Sequence, residues 1–332
     1  MAHLQKFGTS ISDQIFPTFA HYAPLLRAQA STIRSIPCST FAYGPSPRHQ
    51  LDVYIPPSPY IVNNRHPVLL FFYGGGFVQG HRTLPIPSLD GLVHANVASF
   101  FARNYGYTVV VPDYRLVSHG AKFPSGGEDV ALAVQWVSGN VDKLGPKQED
   151  RTHKVSLFLL GNSAGGVHVS TFLFCNEFNE TRANMLDDEK SRLRGVVLLS
   201  VPFSYERVDD EAKREILEKY FGDAERNCPL TLLKDSHRLQ SSKLDLVKAG
   251  TRIMVLNAEL DPEDECLVPR DEFVREWLKY EDDASRHALA IDSMKGHNHI
   301  SPFLALGTDI ESEEAWGHQV ASFCNAAIKL DS

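Results

Sequence analysis

The sequence predicts one α/β domain built on a mostly parallel, doubly wound β-sheet. Short and almost continuously apolar runs, such as VLLFF and TVVV, are typical of parallel strands that are covered on both faces. Segments with helical periodicity separate these runs from about residue 68 onward. A length of 332 residues allows a large core, and 43% hydrophobic with 22% charged residues is typical of a globular protein.

The strands and helices alternate along the chain. Seven apolar runs are predicted as strands: Leu51–Ile55, Val68–Tyr73, Thr108–Pro112, Val155–Leu160, Gly195–Val201, Arg252–Asn257 and Ala288–Asp292. Five segments with helical spacing are predicted as helices: Leu92–Arg103, Glu128–Val137, Gly165–Phe174, Asp271–Tyr280 and Glu313–Ile328. Right-handed crossovers between successive strands place such helices on both faces of a sheet.

One interval interrupts this alternation. About fifty residues separate Val201 from Arg252, far more than a bare connection requires, and they contain the helical segments Asp209–Tyr220 and Leu230–Leu239. We expect a small helical lid at about residues 203–248, above the strand ends where ligands bind in such sheets; a solvated surface excursion is the alternative. With no Pro/Gly/Ser-rich linker, residues 1–332 are predicted to form a single domain. Residues 1–45 are weakly patterned, and we expect a short helix and a strand there, packed against the lid or a sheet edge.

Composition excludes several classes of protein. Thirty-three Lys and Arg against 41 Asp and Glu give a net charge of −8, which disfavours nucleic-acid binding because phosphates require a basic face. Five scattered cysteines without a CxxC pair favour reduced thiols over disulfides or a zinc site. We find no secretory signal and no apolar stretch of membrane-spanning length, so we predict a cytoplasmic location; the oligomeric state stays open.

A nucleophile motif follows one of the predicted strands. Gly161-Asn162-Ser163-Ala164-Gly165 is a G-x-S-x-G that comes after Val155–Leu160 and opens a helix. A turn of this kind strains the backbone of the serine, and small neighbours avoid a clash. The Ser163 hydroxyl would stand at the edge of the sheet, at the positive end of the following helix. A capping serine in a tight turn is the alternative.

A glycine run follows the strand Val68–Tyr73. Backbone amides of Gly74, Gly75 and Gly76 can approach a ligand closely and point at it. Two of these amides, with the amide of Ala164, would bind the oxyanion of an acyl-transfer intermediate. A phosphate loop or a dinucleotide site is not supported, because neither G-x-x-x-x-G-K-[ST] nor G-x-G-x-x-G is present.

Acid and histidine candidates follow the nucleophile in chain order. Asp261 comes after the strand Arg252–Asn257, with Glu259 and Asp264 as alternatives. His297 and His299 come after the last strand. Serine, acid and histidine on loops after successive strands is the order that a catalytic triad on such a sheet requires.

Only one of the two histidines is needed as the base. His297 and His299 are two residues apart, and we expect only one of the pair to face Ser163 readily. We favour His299, because Ile300 beside it can anchor the loop in the core. His297 is then expected to face solvent or to brace the loop through a backbone hydrogen bond.

With these motifs in place, the chain resembles the α/β-hydrolase superfamily over about residues 43–325, specifically the hormone-sensitive-lipase-like carboxylesterases and the arylformamidases. The matching segments are Tyr43-Gly44 with Leu51–Pro56, Tyr73–Phe77, Pro112–Leu116, Phe123-Pro124, Glu128–Val130, Trp136-Val137, Gly161–Gly166 and Asp261-Pro262. Tyr73 is a departure, because the family usually has His before the three glycines. The backbone donors survive this change, but the bonds that brace the loop differ. Asp113 and Arg115 are expected to brace the nucleophile turn.

The resemblance implies a serine hydrolase that cleaves a carboxylic ester, or alternatively a thioester, lactone or aryl amide, of a small to medium hydrophobic substrate. Ser163 would be the nucleophile, His299 the base and Asp261 its partner, with no metal or organic cofactor. Phe77, Tyr205 and Phe221 are expected to contact the substrate; plain core packing is the alternative. Rival functions are an arylformamidase acting on N-formylkynurenine, acyl release in a biosynthetic pathway, and a non-catalytic ligand receptor on the same fold.

Overall fold

The computed structural model describes residues 3–145, 154–238, 242–279 and 283–329. The described residues form one sheet in the spatial order β1-β2-β4-β3-β5-β6-β7-β8. Its strands are β1 (Cys38–Ala42), β2 (Gln50–Tyr54), β3 (Arg65–Phe72), β4 (Thr108–Pro112), β5 (Lys154–Asn162), β6 (Ser191–Leu199), β7 (Arg252–Leu260) and β8 (Leu289–Asn298). Strand β2 is antiparallel to β1 and to β4, and the remaining pairs are parallel.

The central strands are buried along almost their whole length. In β3, β5 and β6 nearly every residue is buried, including Val68–Phe72 and Leu157–Leu160. The edge strands β1 and β8 are largely exposed or half-buried. All seven predicted strands overlap observed ones, and β1, at one edge of the sheet, is a strand of the kind expected within residues 1–45. The apolar pattern did not locate it, because an edge strand carries few buried side chains.

Helices cover both faces of the sheet, which confirms the doubly wound architecture. The helices are α1 (Ile11–Ala28), α2 (Ala30–Arg34), α3 (Ala95–Tyr105), α4 (Ser125–Gly139), α5 (Ala164–Phe174), α6 (Asn179–Asp187), α7 (Glu211–Phe221), α8 (Ala224–Asn227), α9 (Pro229–Arg238), α10 (Ser242–Lys248), α11 (Val268–Leu278), α12 (Asp283–Ala288), α13 (Ser301–Ala305) and α14 (Glu311–Lys329). Helices α3 and α14 pack on one face, and α4, α5 and α6 on the other. The predicted helix ends at Leu239 and Tyr280 lie outside the described residues.

The interval predicted as a lid divides into two parts. Its second part, α9 with α10, packs against α5 on a face of the sheet, as ordinary crossover helices do. Its first part, from Phe203 to Phe221, leads over the C-terminal ends of the strands. The first part of this interval therefore covers the strand ends, and the second part supplies crossover helices on a face of the sheet.

The N-terminal region is more ordered than its sequence pattern predicts. Instead of a short helix, α1 has 18 residues and contains Pro17 and Pro24. It packs against α13 within a second apolar cluster whose buried members include Tyr22, Leu26 and Leu304. The helical periodicity of α1 is difficult to recognise in the sequence, because the helix contains prolines and buried polar side chains.

Among the helices in the described ranges, none is both long and apolar enough to cross a lipid bilayer.

Candidate active site

Ser163 occupies a strained turn between β5 and α5. Its backbone has φ 50° and ψ −122°, a region that residues other than glycine rarely adopt. The Ser163 amide donates to the carbonyl oxygen of Leu199 at 2.9 Å, which ties the turn to β6. The side chain therefore projects from the strand end at the first turn of α5.

Close backbone contacts explain the small residues around this turn. A Cβ atom on Gly165 would lie 2.1 Å from the carbonyl oxygen of Phe72, and one on Gly161 would lie 2.5 Å from Cα of Gly166. No side chain fits at either distance, so α5 starts directly against β3 and β5. The G-x-S-x-G pattern thus follows from packing around the serine.

Three of the predicted residues form one chain of hydrogen bonds. Nε2 of His299 lies 2.9 Å from Oγ of Ser163, and Nδ1 lies 2.8 Å from Oδ1 of Asp261. Because a carboxylate only accepts, Nδ1–H donates to Asp261 and leaves Nε2 to accept the Ser163 proton. This arrangement is suited to removing a proton from the serine hydroxyl.

The carboxylate of Asp261 is buried and fully bonded. Its second oxygen, Oδ2, accepts from Oγ of Ser200 at 2.7 Å, the amide of Ala258 at 2.9 Å and Nδ2 of Asn257 at 3.1 Å. These donors replace water around a charge that is only 5% exposed. Ser200, at the end of β6, carried no motif in the sequence that would have marked it.

The alternative acids do not reach the histidine. The side chain of Glu259 is 43% exposed and accepts from the amide of Gly296 at 2.7 Å. Asp264 lies exposed in the turn after Pro262. Strand β7 ends at Leu260, and the amide of Asp261 donates to the carbonyl oxygen of Ala258 at 3.2 Å. The chain therefore turns after Glu259, and the alternation of the strand does not extend to Asp261.

The second histidine, His297, is buried near the C-terminal end of β8. Nδ1 of His297 lies 2.8 Å from Oγ of Ser301, and Nε2 lies 3.1 Å from the carbonyl oxygen of Glu313. Burial lowers the pKa of His297 to about 4, so its ring is neutral at ordinary pH. His297 therefore braces the loop through hydrogen bonds and does not face solvent.

The glycine run lies directly against the nucleophile. A Cβ atom on Gly74 would come within 3.0 Å of Cβ of Ser163, and Gly75 and Gly76 have φ values of 148° and 58°. In the part of the chain that the structure describes, the amides of Gly75, Gly76 and Ala164 donate to no protein acceptor. These three N–H groups are available to an anionic oxygen near Ser163.

Tyr73 braces this loop in place of the usual histidine. Its hydroxyl donates to Oδ1 of Asp113 at 2.6 Å and accepts from Nη2 of Arg48 at 2.9 Å. Arg82 binds the same carboxylate, through its amide to Oδ1 and through Nη1 to Oδ2, both at 2.6 Å. Burial raises the pKa of Tyr73 well above its ordinary value, so the phenol remains a donor.

The expectation for Asp113 and Arg115 therefore requires revision. Asp113 braces the glycine loop through Tyr73 and Arg82, not the turn at Ser163. Arg115 donates to Asp129 and Glu128 at the start of α4. Strand β4, which precedes both residues, is separated from β5 and Ser163 by β3.

A cavity of about 710 Å³ opens at Ser163. This volume is typical of small-molecule sites. Its wall is mainly apolar, and three segments contribute many of the side chains: Ile11, Ile15 and Phe19 of α1; Leu84 and Ile86 of the loop after β3; and Tyr205, Val208, Ile216 and Leu217 of the first part of the predicted lid. The cavity therefore lies between α1 and the first part of the predicted lid, Phe203 to Phe221, which we call the lid segment.

Two of the three aromatic residues predicted to contact substrate line this cavity. Phe77 and Tyr205 are in its wall, whereas Phe221 lies behind them, with ring centroids 5.4 Å from Phe77 and 5.2 Å from Tyr205. The sequence reading missed the contribution of α1. Its signal is the apolar residues at four-residue spacing, Ile11, Ile15 and Phe19.

A cluster of metal-ligand types coincides with the triad. Atoms of Asp261, Cys266 and His299 all lie within 4.8 Å of one another. Burial raises the pKa of the Cys266 thiol well above its ordinary value, which opposes the thiolate that a metal ion needs. Asp261 already accepts four hydrogen bonds, so the cluster fits a hydrogen-bonded network better than a metal centre.

Comparison with known proteins agrees with this architecture. The family model described as BD-FAE matches residues 51–224, just over half of the chain. A thermostable esterase from Pseudomonas putida has a similar structure, with a TM-score of 0.60 and 19% identity, over 98% of this chain and 94% of that one. Carboxyl esterase 2 from Tuber melanosporum gives a TM-score of 0.58 and 18% identity, over 88% and 86%. At these identities the likeness shows the α/β-hydrolase fold, which confirms the predicted fold.

Curated relatives match part of the chain. A probable isoprenylcysteine alpha-carbonyl methylesterase, ICMEL2, from Arabidopsis thaliana is 28% identical over 191 residues, 56% of this chain. A cholinesterase from Mus musculus is 33% identical over 135 residues, 38% of this chain. The matched regions span 38% and 19% of the lengths of these two relatives.

Proposed function

The chain belongs to the BD-FAE family, and from this premise we propose that it is a serine hydrolase that cleaves carboxylic esters through an acyl-enzyme. The observation that carries the proposal is the hydrogen-bonded chain from Ser163 through His299 to Asp261, at the mouth of an apolar cavity. The two curated relatives, a probable methylesterase and a cholinesterase, support an ester as the substrate class.

Acylation begins at the serine. Oγ of Ser163 attacks the acyl carbon while its proton passes to Nε2 of His299, 2.9 Å away. Asp261 holds the imidazole in the tautomer that has Nδ1 protonated and stabilises the positive charge that develops on the ring. When the tetrahedral intermediate collapses, the bond to the alkoxy group breaks, and His299 returns the proton to the departing alcohol.

The negative charge of the intermediate requires donors that are already in place. The amides of Gly75, Gly76 and Ala164 would supply them without reorganisation, because the glycine loop lies against Ser163 and these amides donate to no acceptor among the described residues. Deacylation repeats the sequence with water as the nucleophile, His299 as its base and Ser163 as the leaving group. The products are the carboxylic acid, the alcohol and the free enzyme.

The cavity wall defines the substrate class more narrowly. Apolar side chains from α1 and from the lid segment line the cavity at Ser163 and favour a small to medium hydrophobic ester. A cavity of about 710 Å³ has room for such a substrate, including a medium-length acyl chain. A receptor without turnover is disfavoured, because all three triad side chains are present and hydrogen-bonded to one another.

The test is a series of p-nitrophenyl esters from acetate to decanoate, run beside N-formylkynurenine and a thioester. We expect turnover of the esters, with the highest kcat/KM at medium chain length, and covalent labelling by a fluorophosphonate. Ser163→Ala is the matched control: loss of the nucleophile should lower kcat by about 10⁴–10⁶-fold and abolish labelling, with an unchanged circular dichroism spectrum.

Three results would change the proposal. Higher kcat/KM on N-formylkynurenine than on every ester would make the protein an arylformamidase with the same triad. Higher kcat/KM on the thioester than on every ester would make a thioester the substrate class, with the same triad. More than a tenth of the wild-type turnover in Ser163→Ala would remove Ser163 from the mechanism.

A further inference from the structure

Helix α1 presents two rows of side chains, each at four-residue spacing, to different parts of the site. The apolar row lines the cavity and consists of Ile11, Ile15 and Phe19. The polar row is fully buried and consists of Gln14, Thr18 and Tyr22. Residues four apart share one helix face, so the two rows occupy adjacent faces of the same helix. Buried polar side chains of this kind are stable only where their hydrogen bonds are satisfied.

The side-chain amide of Gln14 is bonded at both ends. Its Oε1 accepts from the backbone amide of His299 at 3.1 Å. Its Nε2 donates to the carbonyl oxygen of Leu260 at 3.3 Å and to that of Gly8 at 3.2 Å. The orientation of the amide is unambiguous, because a backbone N–H needs an oxygen acceptor and a carbonyl needs an N–H donor.

One side chain thus joins the two loops that carry the base and the acid. His299 begins the loop after β8, and Leu260 directly precedes Asp261 at the end of β7. Parallel pairing of β7 with β8 shifts register between Ala258 and Leu260, so the ladder gives less support at this level. The Gln14 amide supplies a link between the two loops at that point.

A second contact from α1 fixes the residue before His299. Oγ1 of Thr18 accepts from Nδ2 of Asn298 at 2.9 Å. Oδ1 of Asn298 in turn accepts from the amides of Ile300 and Ser301 at 3.1 and 2.9 Å. The histidine loop is therefore held on both sides of His299, with α1 as its outer support.

We propose that Gln14 is a positioning residue for the reaction, which holds the His299 and Asp261 loops in the register that keeps the imidazole between Ser163 and Asp261. This inference rests on the proposed serine-hydrolase function. Gln14 acts through His299 and does not need to contact the substrate. Because misplacement of a catalytic group by about 1 Å costs on the order of 10²-fold in rate, the loss of this link should lower kcat with little effect on KM.

Two substitutions at Gln14 and one control test the proposal. Gln14→Met keeps the length of the side chain and removes all three hydrogen bonds. Gln14→Glu keeps an acceptor for the His299 amide and, at pH 8, loses the donor to Leu260. Gln5→Ala is the matched control, because Gln5 is an exposed glutamine in the same N-terminal segment. For each protein, kcat, KM, the rate constant of fluorophosphonate labelling and Tm are measured.

We expect kcat and the labelling rate to fall together, by about 10- to 100-fold in Gln14→Met and by less in Gln14→Glu, with KM within threefold and Gln5→Ala unchanged. A lowered Tm with kcat and labelling within twofold of wild type in both variants would overturn the inference. If Gln14→Met does not fold, Gln14→Glu decides: wild-type kcat in that variant overturns the inference. Absence of turnover and labelling in the wild type itself would instead overturn the proposed function.

Discussion

The two halves of the hydrogen-bonded chain are built in different ways. The serine half comes from one continuous stretch, β5 with α5, and the turn between them fixes Ser163 by local backbone packing. The histidine half is assembled from loops after β7 and β8 and from α1, nearly 300 residues away in the chain. The serine half depends on glycines and strain, whereas the histidine half depends on buried side-chain hydrogen bonds.

Because of this difference, we expect the two halves to respond differently to substitutions. A strained turn packed against β3 has few alternative conformations, so changes near Ser163 should act through chemistry or through loss of the fold. Loops joined by side-chain bonds can shift while the fold persists, because each bond contributes only about 1 kcal/mol. Rate should therefore be the more sensitive measure on the histidine side.

The largest effect expected within the histidine half distinguishes its two histidines. His299→Asn removes the proposed base and should lower kcat by about 10⁴-fold or more, because triad members act as a unit. His297→Asn removes a buried brace bonded to Ser301 and Glu313, so it should lower Tm and leave most of kcat. Ester turnover and fluorophosphonate labelling measure both variants.

The control for this pair is a Tm measurement on each protein, which shows whether the variant is folded at the assay temperature. If His297→Asn lost turnover while folded and His299→Asn kept it, the base would be His297, and the hydrogen bond from His299 to Ser163 would have no catalytic role.

The same difference decided what the sequence could predict. Ser163, the glycine run and the strands around them follow from short contiguous patterns, and the structure places them as expected. The location of Asp261 and His299 also followed from strand ends. Gln14 and Ser200 did not, because their hydrogen bonds join residues 285 and 61 positions apart and leave no local pattern.

The next largest expected effect on kcat concerns the glycine loop, which follows β3 and lies against the serine half. Tyr73→Phe removes the bond to Asp113 but leaves the backbone donors, and we expect kcat to fall about tenfold, less than the 10²–10³-fold typical when an oxyanion donor is lost. Asp113→Asn also weakens the hold on Arg82, and should cost more. Tyr105→Phe is the control, because its hydroxyl bonds His318 on the outer side of α3. Unchanged kcat in both loop variants would show that the loop does not need this brace.

Each half also contains a buried histidine that should make stability depend on pH. Burial lowers the pKa of His168 in α5 and of His297 beside the triad loop to about 4 each. In the unfolded chain both titrate near 6.5, so between these values the unfolded state binds more protons, and stability falls as the pH is lowered from about 6.5 toward 4. At pH 5 each histidine should cost about 2 kcal/mol of stability.

Urea unfolding at pH 7.5 and pH 5 measures this effect, with His297→Asn as the comparison. The variant should be less stable than the wild type at pH 7.5 but lose about 2 kcal/mol less on going to pH 5. An identical pH dependence in both proteins would mean that His297 accepts a proton in the folded state.

The smallest expected effect concerns the walls of the cavity on either side of Ser163. Tyr205 lines the cavity from the lid segment, and Ile15 lines it from α1, whereas Phe221 packs behind the wall. Tyr205→Ala and Ile15→Ala should each change the ratio of kcat/KM between octanoate and acetate esters by about 3- to 10-fold, because contact with one or two methylene groups changes kcat/KM by about this factor.

Phe221→Ala should leave this ratio within twofold and lower stability by about 3 kcal/mol, because it deletes a buried ring from the core. Opposite effects of Tyr205→Ala and Ile15→Ala on the ratio would indicate that the acyl chain lies against one wall and the alcohol against the other. If Phe221→Ala changed the octanoate-to-acetate ratio as much as Tyr205→Ala does, the placement of Phe221 behind the cavity wall would be contradicted.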